Sequence, residues 1–226
     1  MAKKVILVTG ARGGIGRAVV KSLRKHNAIV FTNDLDVPKN FSKISPSYPA
    51  DFTVESDVES LFLIIKKIFG RLDLVVNCAG IGIFKPIDKI TGTEWESLFK
   101  VNTYGAFLLS REAVKIFKKQ RGGRIFHFGS VAEHRGLAGN SAYGASKAAL
   151  HNLGAVINTE YKMKNIHSTH IRLGAVYSPI WEGRKGFSKS EMLDPIQVGN
   201  LVSYLARLPL GVRIDEIELL PRKGIL

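Results

Sequence analysis

The stretch KVILVTGARGGIGRAVVKSL, residues 4–23, sets the fold class of this chain. Its first six residues form an apolar run as long as a buried parallel strand, and Val19, Val20 and Leu23 follow at helical spacing. Glycines at positions 10, 13, 14 and 16 join the two segments. Such a turn brings the backbone close to a phosphate group, and the free amides of the helix start hold the anion. The stretch therefore predicts a dinucleotide-binding unit.

Length and composition bound the remaining possibilities. The 226 residues suffice for one domain with a full hydrophobic core, so we expect a single domain over residues 1–226. No apolar run reaches the length of about 18 residues that a membrane span needs, and no signal peptide precedes the first strand. The single Cys78 excludes an intramolecular disulfide and a cysteine-based metal cluster. We expect a cytoplasmic protein with no membrane partner and no metal.

The net charge of +14 is the unusual feature of the composition. A strongly basic chain is typical of proteins that bind nucleic acid, an anionic membrane or an acidic partner. Here, however, the basic residues are spread through helical segments, with no run of five and no interleaved aromatic residues. A solvated basic surface explains this distribution better, and we expect no nucleic-acid partner.

Further segments alternate between strand and helix patterns, as in a doubly wound α/β protein. Strands are predicted at 28–34, 72–76, 123–129, 166–173 and 216–220. Helices are predicted at 54–69, 93–119, 141–162 and 195–205. Residues 36–49 are rich in Pro, Ser and Asn, so the helix before the third strand should be short or absent. A polar segment at about 179–194 is typical of a mobile lid over a substrate.

Asp34 closes the second strand, about 20 residues beyond the glycines, where an acid accepts hydrogen bonds from the adenosine ribose. Its charge would repel a 2′-phosphate, so the sequence favours NAD over NADP. Arg12, inside the glycine loop, is the opposing signal because its guanidinium can pair with such a phosphate. NADP therefore remains the less favoured alternative.

A second group of polar residues indicates chemistry. Tyr143 and Lys147 stand at i and i+4 of a predicted helix, one turn apart on the same face. A nearby cation favours the phenolate, so we expect a lowered pKa for Tyr143 and a role as general acid or base. Ser130 follows the carboxyl end of the fifth strand, where open parallel sheets bind ligands. Asn102 is a further candidate, because it is a polar residue within an apolar helix pattern. No catalytic role is expected for His167 or His170.

These motifs resemble those of the short-chain dehydrogenase/reductase family. The fingerprint TGxxxGIG is complete at residues 9–16, and NCAG at 77–80 resembles the family's NNAG turn. Asp51 and Phe52 match the Asp-apolar pair beside the adenine, and LGAVYS at 173–178 is similar to PGxVxT. Leu173 in place of Pro removes a fixed φ and leaves the path into the following loop open.

The resemblance implies a fold and a set of site residues. The fold is a three-layer, doubly wound parallel sheet, the Rossmann fold, with seven strands in the order 3-2-1-4-5-6-7. The catalytic tetrad is Asn102, Ser130, Tyr143 and Lys147. The residues expected at the cofactor are Gly10, Arg12, Gly14, Ile15, Gly16, Asp34, Asp51, Phe52, Asn77, Ala79, Gly80, Tyr143, Lys147, Gly174, Val176 and Ser178.

The resemblance also implies an activity, which is hydride transfer between a nicotinamide and a carbonyl or secondary alcohol. Tyr143 would exchange a proton with the substrate oxygen, Ser130 would stabilise charge on it, and Lys147 would also bind the nicotinamide ribose. Asn102 would hold a water beside Lys147. Candidate substrates are small hydroxy acids, sugars or polyols, and 3-oxoacyl compounds. The alternative is an inactive nucleotide-sensing regulator or binding protein on the same scaffold.

The two long helices predict self-association. Residues 93–119 and 141–162 carry apolar side chains around more than one face, and such helices bury the second face against a partner. A second copy of the same chain is the economical partner. Relatives commonly build such a four-helix interface, so we expect a homodimer at least, and a homotetramer as the full assembly.

Overall fold

Seven strands pair in one parallel sheet in the computed structural model, which describes residues 3–120, 122–181 and 188–224. The strand order β3-β2-β1-β4-β5-β6-β7 confirms the predicted topology. The strands are β1 Lys4–Thr9, β2 Ala28–Asp34, β3 Ser47–Pro49, β4 Leu74–Asn77, β5 Gly123–Ser130, β6 Ile166–Leu173 and β7 Glu216–Leu219.

Helices cover both faces of this sheet. They are α1 Gly14–Leu23, α2 Glu55–Phe69, α3 Gly92–Phe99, α4 Gly105–Phe117, α5 Ser141–Glu160 and α6 Pro195–Arg207. Successive side chains of a strand point to opposite faces. Accordingly, Ile6 and Val8 pack under α1 and α6, while Val5 and Leu7 pack under α2, α4 and α5. Two apolar layers thus enclose the sheet, as the Rossmann fold requires.

The carboxyl ends of the strands lie along one edge of the sheet because all strand pairs are parallel. Register fixes which residues meet there. Thr9 pairs with Asn77 on β4, and Ser130 on β5 pairs with Leu173 on β6. The predicted site residues therefore converge on this edge.

The structure departs from the predicted elements in two places. The segment 36–49 contains no helix, as expected, but its last residues form the short strand β3, held by Asn33 Nδ2 donating to Tyr48 O over 3.1 Å. The helix predicted over 93–119 is interrupted by a π turn at Lys100–Tyr104, which joins α3 to α4 and contains Asn102. Of the predicted lid, residues 182–187 lie outside the described residues.

Within the described ranges, no helix combines the length and the apolar character needed to cross a membrane.

Candidate active site

The glycine loop packs directly against the end of β4. Gly10 has a φ of 59°, and a Cβ atom there would lie 2.7 Å from the backbone nitrogen of Ala79. A Cβ atom on Gly16 would lie 2.0 Å from the carbonyl oxygen of Gly10. Larger residues therefore have no room at either position, and the loop can run this close to the sheet only with glycine.

A cavity of about 470 Å³ opens beside this loop at the carboxyl edge of the sheet. Eleven of the predicted site residues line it: Gly14, Ile15, Gly16, Ala79, Gly80, Ser130, Tyr143, Lys147, Gly174, Val176 and Ser178. The structure thus brings one end of the glycine loop and three members of the predicted tetrad to a single space. The remaining predicted residues lie outside its wall: Gly10, Arg12, Asp34, Asp51, Phe52, Asn77 and Asn102.

Asp34 holds the glycine loop from the tip of β2. Its Oδ2 accepts from the backbone N–H of Arg12 over 2.8 Å, and its Oδ1 accepts from the N–H of Leu35 over 2.9 Å. The guanidinium of Arg12 points elsewhere and pairs with Asp36 at 2.9 Å, with both side chains more than half exposed. The two residues expected at the adenosine ribose therefore lie side by side without pairing their charges.

Asp51, Phe52 and Asn77 support the surrounding backbone. Asp51 Oδ1 accepts from the backbone N–H of Thr53 over 2.8 Å, which forms a tight turn after β3. The ring of Phe52 packs against Gly105, where a Cβ atom would lie 2.2 Å from the ring. Asn77 Oδ1 accepts from the Thr9 hydroxyl over 3.0 Å and ties β4 to β1 beneath the glycine loop.

Lys147 is buried beside Tyr143 on α5. Its Nζ donates to the carbonyl oxygen of Phe128 over 2.9 Å and lies 5.8 Å from the centre of the Tyr143 ring. Burial lowers the pKa of Lys147 to about 8, although the negative charge of Glu133 acts in the opposite direction. The ammonium is therefore held close to the phenol, with a pKa near the working range of an acid–base catalyst.

Asn102 ties the π turn to the cavity floor. Its Oδ1 accepts from Ile81 N over 2.9 Å, and its Nδ2 donates to Ile81 O over 2.9 Å and to Ser146 Oγ over 3.0 Å. Ser146 in turn donates to the carbonyl oxygen of Tyr143 over 2.8 Å. One buried amide thus fixes both the loop after β4 and the first turn of α5.

Ser130 ends β5 and begins the short helical turn Val131–Glu133. Its Oγ accepts from the backbone N–H of Ala132 over 3.2 Å, so the hydroxyl hydrogen can be donated into the cavity. Its own backbone N–H donates to the carboxylate of Glu133 over 3.2 Å. Local hydrogen bonds thus determine the position of the Ser130 hydroxyl.

A family model described as short chain dehydrogenase matches residues 4–186. The chain belongs to this dehydrogenase family. An uncharacterized oxidoreductase of Staphylococcus epidermidis is 28% identical over 225 residues, which cover 97% of each chain. The uncharacterized oxidoreductase YxjF of Bacillus subtilis is 37% identical over 156 residues, which cover 65% of this chain and 61% of the relative.

Solved structures agree in fold. A closed form of serine dehydrogenase complexed with NADP⁺ superposes with a TM-score of 0.88 at 20% identity, covering 98% of this chain and 96% of that one. ElxO with NADP bound gives a TM-score of 0.86 at 22% identity, covering 96% of this chain and 97% of that one. The described residues of this chain therefore share the fold of these structures.

The residues present suit a nicotinamide dinucleotide. A Cβ atom on Gly14 would lie 3.0 Å from Ser178, and one on Gly80 would lie 3.2 Å from Asn102 Oδ1 and 3.5 Å from Lys147 Nζ. Glycine at these positions keeps both ends of the cavity open for a group that approaches the backbone. The amides at the start of α1 suit the pyrophosphate.

Several residues at the candidate site were not predicted from the sequence. The Phe84 ring lies 5.2 Å from that of Tyr143, and Ile180 and Asn140 also line the cavity. Glu133, just behind Ser130, was not among the residues predicted from the sequence. Its position three residues beyond a cap serine is the signal that would have indicated it, because that is the spacing of a capping box.

Cys78 also lines the cavity, and burial raises the pKa of its thiol. The thiol is therefore neutral and suits a small apolar filler better than a reactive nucleophile.

Proposed function

We propose that this protein transfers a hydride between a nicotinamide cofactor and a carbonyl or secondary alcohol. The observation that carries the proposal is that Ser130, Tyr143 and Lys147 share one cavity whose wall continues into the glycine loop. When bound, the nicotinamide supplies or accepts the hydride at its C4 position. The protein then has to manage one proton and the charge on one oxygen.

Tyr143 is the proposed proton donor for carbonyl reduction and the acceptor for alcohol oxidation. The ammonium of Lys147, near the Tyr143 ring, favours the phenolate form. Ser130 is proposed to donate its hydroxyl hydrogen to the substrate oxygen, since its Oγ already accepts from Ala132. Asn102 holds the surrounding backbone, and its predicted role in positioning a water beside Lys147 stays a prediction.

The described cavity wall favours an uncharged substrate. Apolar side chains of Phe84, Leu137 and Ile180 line it, and Lys147 is the only Lys or Arg among its described lining residues. A carboxylate would therefore lack a dedicated cation in this part of the wall. Among the candidate classes, we propose polyols, sugars or 3-oxoacyl compounds ahead of small hydroxy acids.

NAD is the proposed cofactor, because the Asp34 carboxylate stands at the tip of β2, the position expected to face the ribose. One observation favours NADP: a second cavity beside the glycine loop is lined by Arg12, Arg17, Lys21 and Arg24. Fluorescence titration gives the dissociation constants of NADH and NADPH, and we expect tighter binding of NADH. Asp34→Asn keeps an acceptor for the Arg12 N–H but removes the negative charge. It should therefore reduce the difference between the NADH and NADPH dissociation constants.

A coupled screen tests the activity itself. The purified protein is mixed with NADH or NADPH and a panel of neutral ketones, sugars, 3-oxoacyl thioesters and keto acids, and oxidation is followed at 340 nm. We expect turnover of a neutral carbonyl compound that is lost in Tyr143→Phe. Binding of NADH without turnover of any compound would instead favour the inactive sensor. Turnover of keto acids alone would contradict the proposed substrate class.

We propose further that two copies associate through α4 and α5. The π turn and α4 leave Tyr104 and Phe107 each 41% exposed, and α5 leaves Val156 45% exposed. Apolar side chains of this size on adjacent helices are typical of an interface between subunits. A homotetramer is the proposed full assembly, and the cytoplasmic location expected from the sequence stays a prediction.

A further inference from the structure

A buried carboxylate lies directly behind the active-site serine. The side chain of Glu133 is only 1% exposed. Its Oε2 accepts from the backbone N–H of Ser130 over 3.2 Å and bonds His170 Nε2 at 2.8 Å, and its Oε1 accepts from Arg172 Nε over 2.6 Å. A carboxylate in this position is costly unless several donors surround it.

These donors keep Glu133 ionised. Burial alone would raise its pKa, but the hydrogen bond and charge of His170, the hydrogen bond from Arg172 and the N–H of Ser130 outweigh burial and lower the pKa to about 2. A full negative charge therefore remains inside the protein near neutral pH.

The titratable and charged groups around Glu133 lie on four elements. They are His127 on β5, His170 and Arg172 on β6, Glu216 and Glu218 on β7, and Lys147 and His151 on α5. Burial and the charges of His170 and Lys147 lower the pKa of His127 to about 3, so that ring is neutral. Arg172 also pairs with Glu216 at 3.1 Å, and Glu216 bonds His151 of α5 at 2.7 Å.

The backbone before Ser130 is shaped around this cluster. A Cβ atom on Gly129 would lie 2.0 Å from His170 Nε2 and 2.5 Å from Glu133 Oε2. The end of β5 thus packs directly on the Glu133–His170 hydrogen bond. The carbonyl of Phe128, one residue earlier, accepts from Lys147.

We propose that Glu133 is a positioning residue that fixes the backbone of Ser130 and supplies a negative charge to the buried ammonium of Lys147. It reaches Ser130 through a hydrogen bond and Lys147 through space. The consequence for turnover rests on the proposed function, whereas the effect on Lys147 does not.

The first test reads Lys147 directly in the cofactor-free protein. Protein labelled with ¹³C at lysine Cε is titrated by NMR, and the Lys147 signal is assigned by its absence from Lys147→Arg. In Glu133→Gln, loss of the negative charge should lower the Lys147 midpoint by about one pH unit. Glu216→Gln is the matched control, since it removes a carboxylate from the same Arg172 but no bond from Ser130. The Lys147 midpoint in Glu216→Gln should equal that of the wild type.

The second test separates positioning from stability. Glu133→Gln removes the buried carboxylate partner of Arg172, which then keeps only the more exposed Glu216 and Glu218. The variant is therefore expected to unfold at a lower temperature. Glu133→Gln/Arg172→Met removes both charges and should recover most of that loss. With the carbonyl compound identified by the screen, kcat of the double variant should stay about 10- to 100-fold low while KM for NADH changes less than about threefold.

Two outcomes would overturn the proposal. One is an unchanged Lys147 midpoint in Glu133→Gln. The other is a double variant that regains the wild-type kcat, since that would show Glu133 to be important for folding alone. A screen that finds no turnover contradicts the proposed function only, because the Lys147 midpoint still decides the role of Glu133.

Discussion

The side chain of Lys147 is buried, and its amine donates to the carbonyl oxygen of Phe128. With a pKa of about 8, against 10.5 ordinarily, the protonated lysine destabilises the folded state. By linkage, this cost is about 3 kcal/mol at pH 7 and disappears as pH rises from 8 to 10.5, because the unfolded chain then binds more protons than the folded chain. The candidate site thus retains a charged group that lowers the stability of the folded protein.

Replacing this lysine should stabilise the cofactor-free protein. For Lys147→Met we expect a gain of about 1–2 kcal/mol at pH 7, since the lost hydrogen bond to Phe128 offsets part of the charge cost. The gain should shrink between pH 8 and 10.5. Urea unfolding of both proteins at pH 7 and pH 10 measures it. A variant that is less stable by the same amount at both pH values would show that the buried ammonium carries no cost.

At the level of elements, the π turn between α3 and α4 places Asn102 where its amide reaches Ile81 and Ser146. π turns of this kind occur frequently at functional sites. Without Asn102, the part-buried backbone N–H and C=O of Ile81 would lose their hydrogen-bond partners. This single side chain therefore contributes to the order of the loop after β4 and of α5.

Asn102→Leu should test this contribution. It removes all three hydrogen bonds at similar volume, and we expect a loss of stability of about 2–4 kcal/mol. Thr103→Val is the matched control, because it removes one bond, from Thr103 Oγ1 to Ser146 O, and should cost about 1 kcal/mol. Urea unfolding compares the two. Equal small losses would mean that the π turn does not depend on the amide.

Much of the fold was predictable because its signals are local. The apolar run of β1 and the glycines between β1 and α1 can be recognised in a short window of sequence. β3 was not predicted within its polar segment, since its three residues are held by pairing with β2. The π turn also has no local pattern, because hydrogen bonds to residues far along the chain stabilise it.

In the candidate site too, residues within local motifs were predictable, and residues that depend on distant partners were not. Ser130, Tyr143 and Lys147 were predicted from motifs, and the structure places them in one cavity. Glu133 was not, because its partners His170 and Arg172 lie on β6, about 40 residues away, and meet it only through strand pairing. The histidines of β6 appeared to be ordinary polar residues of a strand until their neighbours across the sheet were known.

At the scale of the whole molecule, the net charge of +14 opposes association while the apolar side chains on α4 and α5 favour it. At about 0.15 M salt, charges more than about 8 Å apart are largely screened. Contact burial at the interface should therefore prevail, and we expect a dimer or tetramer of the 24.9 kDa chain at micromolar concentration.

A charge placed on this surface should separate the subunits. Phe107→Glu buries a carboxylate at the proposed interface, so we expect smaller assemblies by light scattering and sedimentation. Leu63→Glu is the matched control, since Leu63 on α2 is 66% exposed and lies outside α4 and α5. It should keep the wild-type mass. A wild type that sediments as a monomer, or a Phe107→Glu protein with unchanged mass, would refute this interface.

The central claim is that Tyr143 carries the proton in a hydride-transfer reaction. Its most direct test is the ratio of kcat/KM between Tyr143→Phe and the wild type, measured with the carbonyl compound from the screen, alongside the NADH dissociation constant. General acid–base catalysis contributes about 10²–10⁴ in rate, so we predict a fall of at least a hundredfold with NADH binding unchanged within about threefold. A variant that retains more than a tenth of the wild-type kcat/KM would contradict the claim.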